Sequence, residues 1–251
     1  MPLAEKGDLA RRATTESILI TIGILGGMGP GSTAPFLDRV YAECQSQYGA
    51  SRDADYPHIL LYSLPTPYED GRDIDHGAMR AAIAGGVRRL ALACVDFVAV
   101  PCSTAHRYFD EIRPHVGIPL MDMVAATVVK ACEGATRVGV LATPETLAWG
   151  GYRAGLLKNG VEPVVLEAAQ PLVDHVLARL TEGARPVDLA DTWRSIVRLY
   201  RERGVERLIV GCTDLSAMIG LGAEAEFVDA AHILARISVA EYVRRRETSR
   251  A

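Results

Sequence analysis

From residue 18 onward, apolar runs of four to seven residues alternate with stretches long enough to form helices. The runs at 18–24, 58–62, 97–100, 118–121, 137–141, 163–166, 207–210 and 226–228 read as strands. The intervening stretches at 32–48, 74–93, 123–133, 144–159, 170–182, 187–203 and 230–246 read as helices, with a short one after Cys102. Gly and Pro clusters punctuate the boundaries. This order predicts parallel βαβ units. The strands are apolar at nearly every position, as expected for a sheet covered on both faces.

The pattern is duplicated. Thr21-Ile-Gly-Ile-Leu25 matches Arg137-Val-Gly-Val-Leu141. Phe97-Val-Ala-Val-Pro-Cys102-Ser-Thr104 matches Leu208-Ile-Val-Gly-Cys212-Thr213. Gly23 and Cys102 are 79 positions apart, Gly139 and Cys212 are 73 apart, and each Cys is followed by a short apolar run closing on Asp122 or Asp229. The reading is an α/β protein of two similar, small doubly wound parallel-sheet domains related by a pseudo-twofold axis. Residues 17–122 with 229–251 form the first domain and 123–228 the second, after a tail at 1–16. Open parallel sheets bind ligands at the carboxyl ends of their strands. That edge is where both cysteines fall, so the active site is expected in the crevice between the domains.

Composition narrows the function classes. Lys and Arg total 27 against 31 acidic residues, a net charge of −4, which gives no basic footprint for nucleic acid. No apolar run reaches membrane-spanning length. The first 17 residues lack the apolar core of a secretory signal, so the expected location is cytoplasmic. Five cysteines without CxxC spacing exclude a disulfide framework and a Cys₄ zinc site. Six scattered histidines suggest no metal cluster. Only three lysines are present, at 6, 130 and 158, and none lies near a cysteine junction. That argues against the Schiff base that pyridoxal phosphate needs. The turn Gly27-Met-Gly29-Pro-Gly31-Ser32 fails the dinucleotide GxGxxG fingerprint, and no acid follows the second strand. No cofactor and no metal are expected.

Cys44, Cys94 and Cys132 lie in helix-like stretches and read as small hydrophobes. Cys102 and Cys212 differ because each sits where a strand gives way to a helix. Two thiols on opposite faces of a carbon centre, one ionised and one protonated, can remove a proton and return it from the other side. A helix N-terminus favours the thiolate, so both thiols are expected to be acidified. Ser103, Thr104 and Thr213 are placed to hold a substrate carboxylate.

Gly23-Ile-Leu-Gly-Gly-Met-Gly-Pro30, Pro101-Cys-Ser-Thr-Ala-His106 and Gly211-Cys-Thr-Asp-Leu215 together resemble the pyridoxal-phosphate-independent aspartate/glutamate racemase family, closer to its aspartate racemase branch. The likeness runs from about residue 18 to 243. It implies two facing flavodoxin-like domains, Cys102 and Cys212 as the catalytic acid/base pair, a small amino-acid substrate flanked by Met28 and Gly29, and a homodimer. His106 is a candidate to stabilise the thiolate or cap the site. Asp214 is a candidate to orient the amino group, or is simply an acid at a helix start.

Two departures from the family pattern bear on the substrate. Ser103 stands where the family usually has Asn. Glu69 stands at or near the position of an Arg that would hold a side-chain carboxylate, with Arg72 a possible substitute. A second expected cation, near Gln170, is missing. Buried carboxylates need partners, so a non-acidic amino acid is an alternative substrate, with Glu69 suited to a polar or cationic group. A related isomerase or decarboxylase, or a non-catalytic thiol redox or binding protein, completes the alternatives.

Overall fold

The computed structural model describes residues 19–68, 73–222 and 225–249. In the first half, β1 (Thr21–Gly26), α1 (Thr33–Tyr48), β2 (His58–Ser63), α2 (His76–Leu92), β3 (Phe97–Ala99), α3 (Phe109–Ile112) and α4 (Met123–Cys132) follow one another. In the second, β4 (Arg137–Leu141), α5 (Pro144–Trp149), α6 (Gly151–Lys158), β5 (Glu162–Val164), α7 (Gln170–Thr181), α8 (Ala190–Arg201), β6 (Arg207–Val210), β7 (Glu226–Asp229) and α9 (Ala230–Thr248) do so.

Among the described residues the strands form two sheets, ordered β2-β1-β3 and β5-β4-β6-β7, with every pairing parallel. The first sheet gains a fourth position through a single parallel bridge between Val98 and Leu120. The expected strand at 118–121 is reduced to that bridge. Pro119 has no N–H to extend a ladder, although its carbonyl accepts from Val98 N–H at 2.9 Å and Met121 N–H donates to Val98 O at 2.9 Å.

Register makes the duplication exact. Gly23 pairs with Val98, which is bridged to Leu120; Gly139 pairs with Leu208, which pairs with Phe227. Cys102 lies four residues past Val98, and Cys212 four past Leu208. Asp122 and Asp229 each lie two residues past the third member and cap α4 and α9, accepting from Ala125 N–H and Ala231 N–H. Both glycines are needed for space. A Cβ on Gly139 would sit 2.5 Å from Leu208 Cδ2 and 2.7 Å from the Tyr200 ring, and one on Gly23 would sit 2.7 Å from Val95 Cγ2.

One apolar core lies between the sheets, joining Ile22, Ile24, Phe36 and Val40 to Val138, Val140, Leu156, Ile209 and the buried faces of α4 and α9. Two outer cores complete the layers, one under α2 and α3 and one under α7 and α8. The last helix of each half crosses over. α4 packs on α6, β6 and β7, whereas α9 packs on α1, β1 and β3 as well as on β7, the strand that leads into it, and the two helices touch each other. The helix expected over 144–159 breaks into α5 and α6 at Gly150, whose φ of 78° is left-handed. Cys94 is exposed in the turn after α2 rather than packed in a helix, whereas Cys44 is buried as expected. No helix of the described residues is long and apolar enough to cross a membrane.

Candidate functional site

β1 delivers its chain into Gly27, whose φ of 92° puts it in the left-handed region. A Cβ there would meet Leu64 backbone N and O at 2.7 Å. Gly27 N–H donates to Thr33 Oγ1 at 2.9 Å, which fixes the turn against the start of α1. The turn brings Met28, Gly29 and Ser32 to the carboxyl edge of the sheet. Met28 packs against the outer core of the first half. Gly29 faces the Asp214 carboxylate, and a Cβ on it would lie 3.3 Å from Asp214 Oδ2.

Cys102 and Cys212 leave β3 and β6 and enter 3-10 turns at 104–108 and 213–218. Each sulfur receives backbone N–H groups at the same two offsets: Thr104 and Ala105 for Cys102, Asp214 and Leu215 for Cys212. The two sulfurs and Asp214 are close enough to act on one another electrostatically. The expected acidification is overturned. Burial pushes Cys102 up to about 11 and Cys212 up to about 12, with the Asp214 carboxylate adding to the rise at both and Cys102 adding to it at Cys212. The N–H groups oppose the rise but do not cancel it, because desolvation of an anion outweighs two hydrogen bonds here. Asp214 is itself held above the usual carboxylate range by burial, with the Ser32 hydroxyl pulling the other way.

The residue after each cysteine bonds to the opposite half. Ser103 Oγ lies 2.8 Å from the Tyr152 hydroxyl of α6, and Thr104 Oγ1 lies 2.8 Å from Thr146 Oγ1 of α5. In the other direction, Thr213 Oγ1 donates to Ser32 Oγ at 3.0 Å or to Pro101 O at 3.3 Å. These hydroxyls therefore lie where the two halves meet, and each already has a partner there.

His106 has both ring nitrogens occupied. Met123 N–H donates to Nε2 at 3.1 Å, so the proton sits on Nδ1, which donates to Cys102 O at 2.8 Å. Burial lowers its basicity. The neutral ring ties the Cys102 backbone to the start of α4, which is a positioning role. Glu69 and Arg72 lie outside the described residues. Gln170 opens α7, and its amide donates to Ala142 O at 3.1 Å and Asp174 Oδ1 at 2.8 Å.

Tyr152 was not singled out by the sequence. It is buried, its phenol is held well above its usual range by burial, and both cysteines act on it. Its ring lies over Gly211, where a Cβ would meet Tyr152 Cε2 at 2.9 Å. The glycine before Cys212 was the available signal, since it marks a place where something approaches the backbone closely. Among the described residues, no group of three or more His, Cys, Asp or Glu side chains is arranged to hold a metal ion.

Comparisons with known proteins agree with this architecture. The broad specificity amino-acid racemase RacX of Bacillus subtilis is 37% identical over 225 residues, covering 88% of this chain and 98% of that protein. An aspartate racemase from Picrophilus torridus shares the fold, with a TM-score of 0.74 at 22% identity over 88% of this chain and 94% of that one. An aspartate racemase homologue from Pyrococcus horikoshii does too, with a TM-score of 0.73 at 23% identity over 90% and 100%. Residues 25–237 match the family described as Asp/Glu/Hydantoin racemase. With most of its length inside that match and its two parallel sheets arranged as in those structures, the chain belongs to the Asp/Glu/Hydantoin racemase family and is an amino-acid racemase of it.

Proposed function

We propose that Cys102 and Cys212 are the two acid–base groups of a cofactor-independent racemase. The observation that carries this reading is the matched placement of the two sulfurs. Each lies four residues past the strand residue that pairs with a core glycine, and each is cradled by the N–H groups two and three residues on. A substrate in the crevice would meet one sulfur on each face. One thiolate takes the Cα proton and becomes a thiol. The opposite thiol delivers its proton to the other face and becomes a thiolate, so that the next turnover runs in the reverse sense. Ser103, Thr104 and Thr213 would exchange their present partners for the substrate carboxylate, on which charge develops as the Cα–H bond breaks.

The same reading gives a broad range of side chains rather than a strict preference for aspartate. The relative that is 37% identical carries the name of a broad specificity racemase. At the position expected to hold a cation, Gln170 is neutral and engaged with Ala142 and Asp174. A homodimer in the cytoplasm belongs to the same proposal, and light scattering tests the dimer. The decisive experiment incubates the protein in deuterium oxide with acidic, neutral and basic L-amino acids, following Cα deuterium by mass spectrometry and optical activity by circular dichroism. Inversion with deuterium uptake in neutral or basic substrates supports the reading. Turnover of aspartate alone removes the broad-range element, and no uptake with any amino acid removes the racemase assignment of the cysteines.

A further inference from the structure

Tyr108 closes the 3-10 turn at 104–108, six residues past Cys102. Its side chain is buried in the outer core of the first half with Leu25, Leu64, Val98 and Ala105, and Cys102 packs against the same cluster. The Tyr108 hydroxyl lies 2.8 Å from Nδ1 of His76. His76 is the exposed first residue of α2, and Asp75 before it caps that helix by accepting from Ala78 N–H at 2.9 Å. One turn on, the Arg80 guanidinium donates to the Glu111 carboxylate and ties α2 to α3 a second time. The turn whose Thr104 and Ala105 N–H groups reach the Cys102 sulfur is therefore held at its far end by the start of a capped helix.

The second half repeats the turn but not the tie. Met218 closes the turn at 213–218, six residues past Cys212, and is fully buried in an apolar cluster. Ser216, where the first half has His106, donates to Asp229 Oδ1 at 2.7 Å. A phenol makes a directional hydrogen bond, whereas a thioether is only a weak acceptor. The two sulfurs thus receive matching N–H groups from turns that are anchored by different chemistry.

We propose that Tyr108 and His76 are positioning residues for Cys102 alone: their hydrogen bond holds the Thr104 and Ala105 N–H groups on that sulfur and so sets how readily Cys102 forms its thiolate. The proposal rests on the reading of Cys102 and Cys212 as the acid–base pair. Donors aimed at a thiolate favour the anion over the thiol, and a hydrogen bond weakens steeply as its angle closes. Freeing the end of the turn lets those donors drift, which disfavours the thiolate. The phenol is also close enough to the Cys102 sulfur for the two to act on one another electrostatically. Each thiol of the pair is then adjusted from its own half.

Labelling at single cysteines tests this without reference to turnover. Iodoacetamide rates at Cys102 and Cys212 are read in the same molecules at pH 9 by peptide mass spectrometry. Tyr108→Phe keeps the ring in the core and removes only the hydroxyl; His76→Ala removes the acceptor; His76→Asn returns a carboxamide oxygen near the place of Nδ1. Tyr108→Phe and His76→Ala should slow labelling of Cys102 relative to Cys212 by about two- to tenfold, the scale of one hydrogen bond, and His76→Asn should restore most of it. Turnover gives a second reading. Placed in a Cys212→Ser protein, Tyr108→Phe should slow Cα deuterium exchange by a similar factor, and in a Cys102→Ser protein it should leave exchange unchanged. An unchanged or faster rate at Cys102, or equal slowing at both cysteines, overturns the proposal, the second because it marks a general loosening of the fold. Failure of His76→Asn to improve on His76→Ala removes His76 from it. Absence of exchange in both single-cysteine proteins fails the acid–base reading instead, and the labelling ratio still decides whether the pair positions Cys102.

Discussion

The Ser103 hydroxyl lies 2.8 Å from the Tyr152 hydroxyl, 49 positions away in the other half of the chain. Ser103 and Tyr152 are both buried, and each supplies the other's hydrogen bond. The first cysteine's neighbour is thus held by the second half rather than by its own turn.

Tyr152→Phe should therefore destabilise the protein by about 1–3 kcal/mol, because it leaves a buried serine hydroxyl without a partner. Racemisation should fall with it, since Ser103 loses its fixed rotamer. The Ser103→Ala/Tyr152→Phe double variant should be less destabilised than the sum of the two single changes. Denaturant melts of all four proteins measure that coupling. Additive losses would mean the two hydroxyls do not depend on each other.

Cys102→Ser and Cys212→Ser should each lower kcat for inversion by about 10²–10⁴, the usual contribution of a positioned acid or base. Each variant should retain exchange of the Cα hydrogen from one enantiomer, and the two should favour opposite enantiomers. Deuterium uptake measured separately on L and D substrates checks this. Uptake that vanishes for both enantiomers in both variants contradicts independent action on opposite faces.

With the two thiols pushed up to about 11 and about 12, Cys102 and Cys212 of the ligand-free protein should react slowly with iodoacetamide at pH 8, whatever the exposed Cys94 does. The rate at Cys102 and Cys212 should climb about tenfold per pH unit through pH 10, because the thiolate is the reactive form. Stability moves the opposite way. Unfolded thiols ionise near 9.0, so between that pH and the folded values the native state binds more protons than the unfolded one. Stability from these groups is intact below pH 9 and is lost as pH rises towards 11–12. Thermal melts of wild type against the Cys102→Ser/Cys212→Ser variant from pH 8 to 11 isolate the effect. A difference that does not change with pH would show that the thiols are not raised.

Asp214 carries the same sign. Its folded carboxyl is raised, so the ionised group costs stability at neutral pH. Asp214→Asn should melt higher than wild type at pH 7 while working less well, the trade often seen where a site holds a buried charge. A lower melting temperature would mean the carboxylate contributes packing or hydrogen bonding that outweighs its charge.

Gly139→Ala should cost about 1–3 kcal/mol through overpacking against Leu208 and Tyr200. A Tm lowered by about 2–4 °C for each kcal/mol is expected for a chain of this size. An unchanged Tm would mean that the Tyr200 ring yields freely.

The two parallel sheets were legible in the sequence because strands covered on both faces are apolar over most of their length: β3 is so throughout, and β1, β4 and β6 are so after Thr21, Arg137 and Arg207. The cysteine junctions were legible because they repeat with the strands. The fourth strand of the first half was overread: Ile118-Pro-Leu-Met121 has the right hydrophobicity, but Pro119 leaves room for a single bridge. The long helix after β4 was overread because a continuous periodic pattern hid the left-handed Gly150. The direction of the thiol shifts was misjudged, since local sequence displays a turn's N–H groups and not the burial that outweighs them. Tyr152, Thr146 and Ser32 were missed because hydroxyl pairs spanning 49, 42 and 181 positions leave no spacing to read.

The crossing of α4 and α9 has a consequence for how such a chain can be divided. α4 completes the layer over β6 and β7, and α9 completes the layer over β1 and β3. Cutting the chain in the turn between α4 and β4 would therefore give two fragments that are each short of a cover they lack and each carrying one the other needs. Such fragments would be expected to reassemble as an interlocked pair rather than fold as two separate proteins.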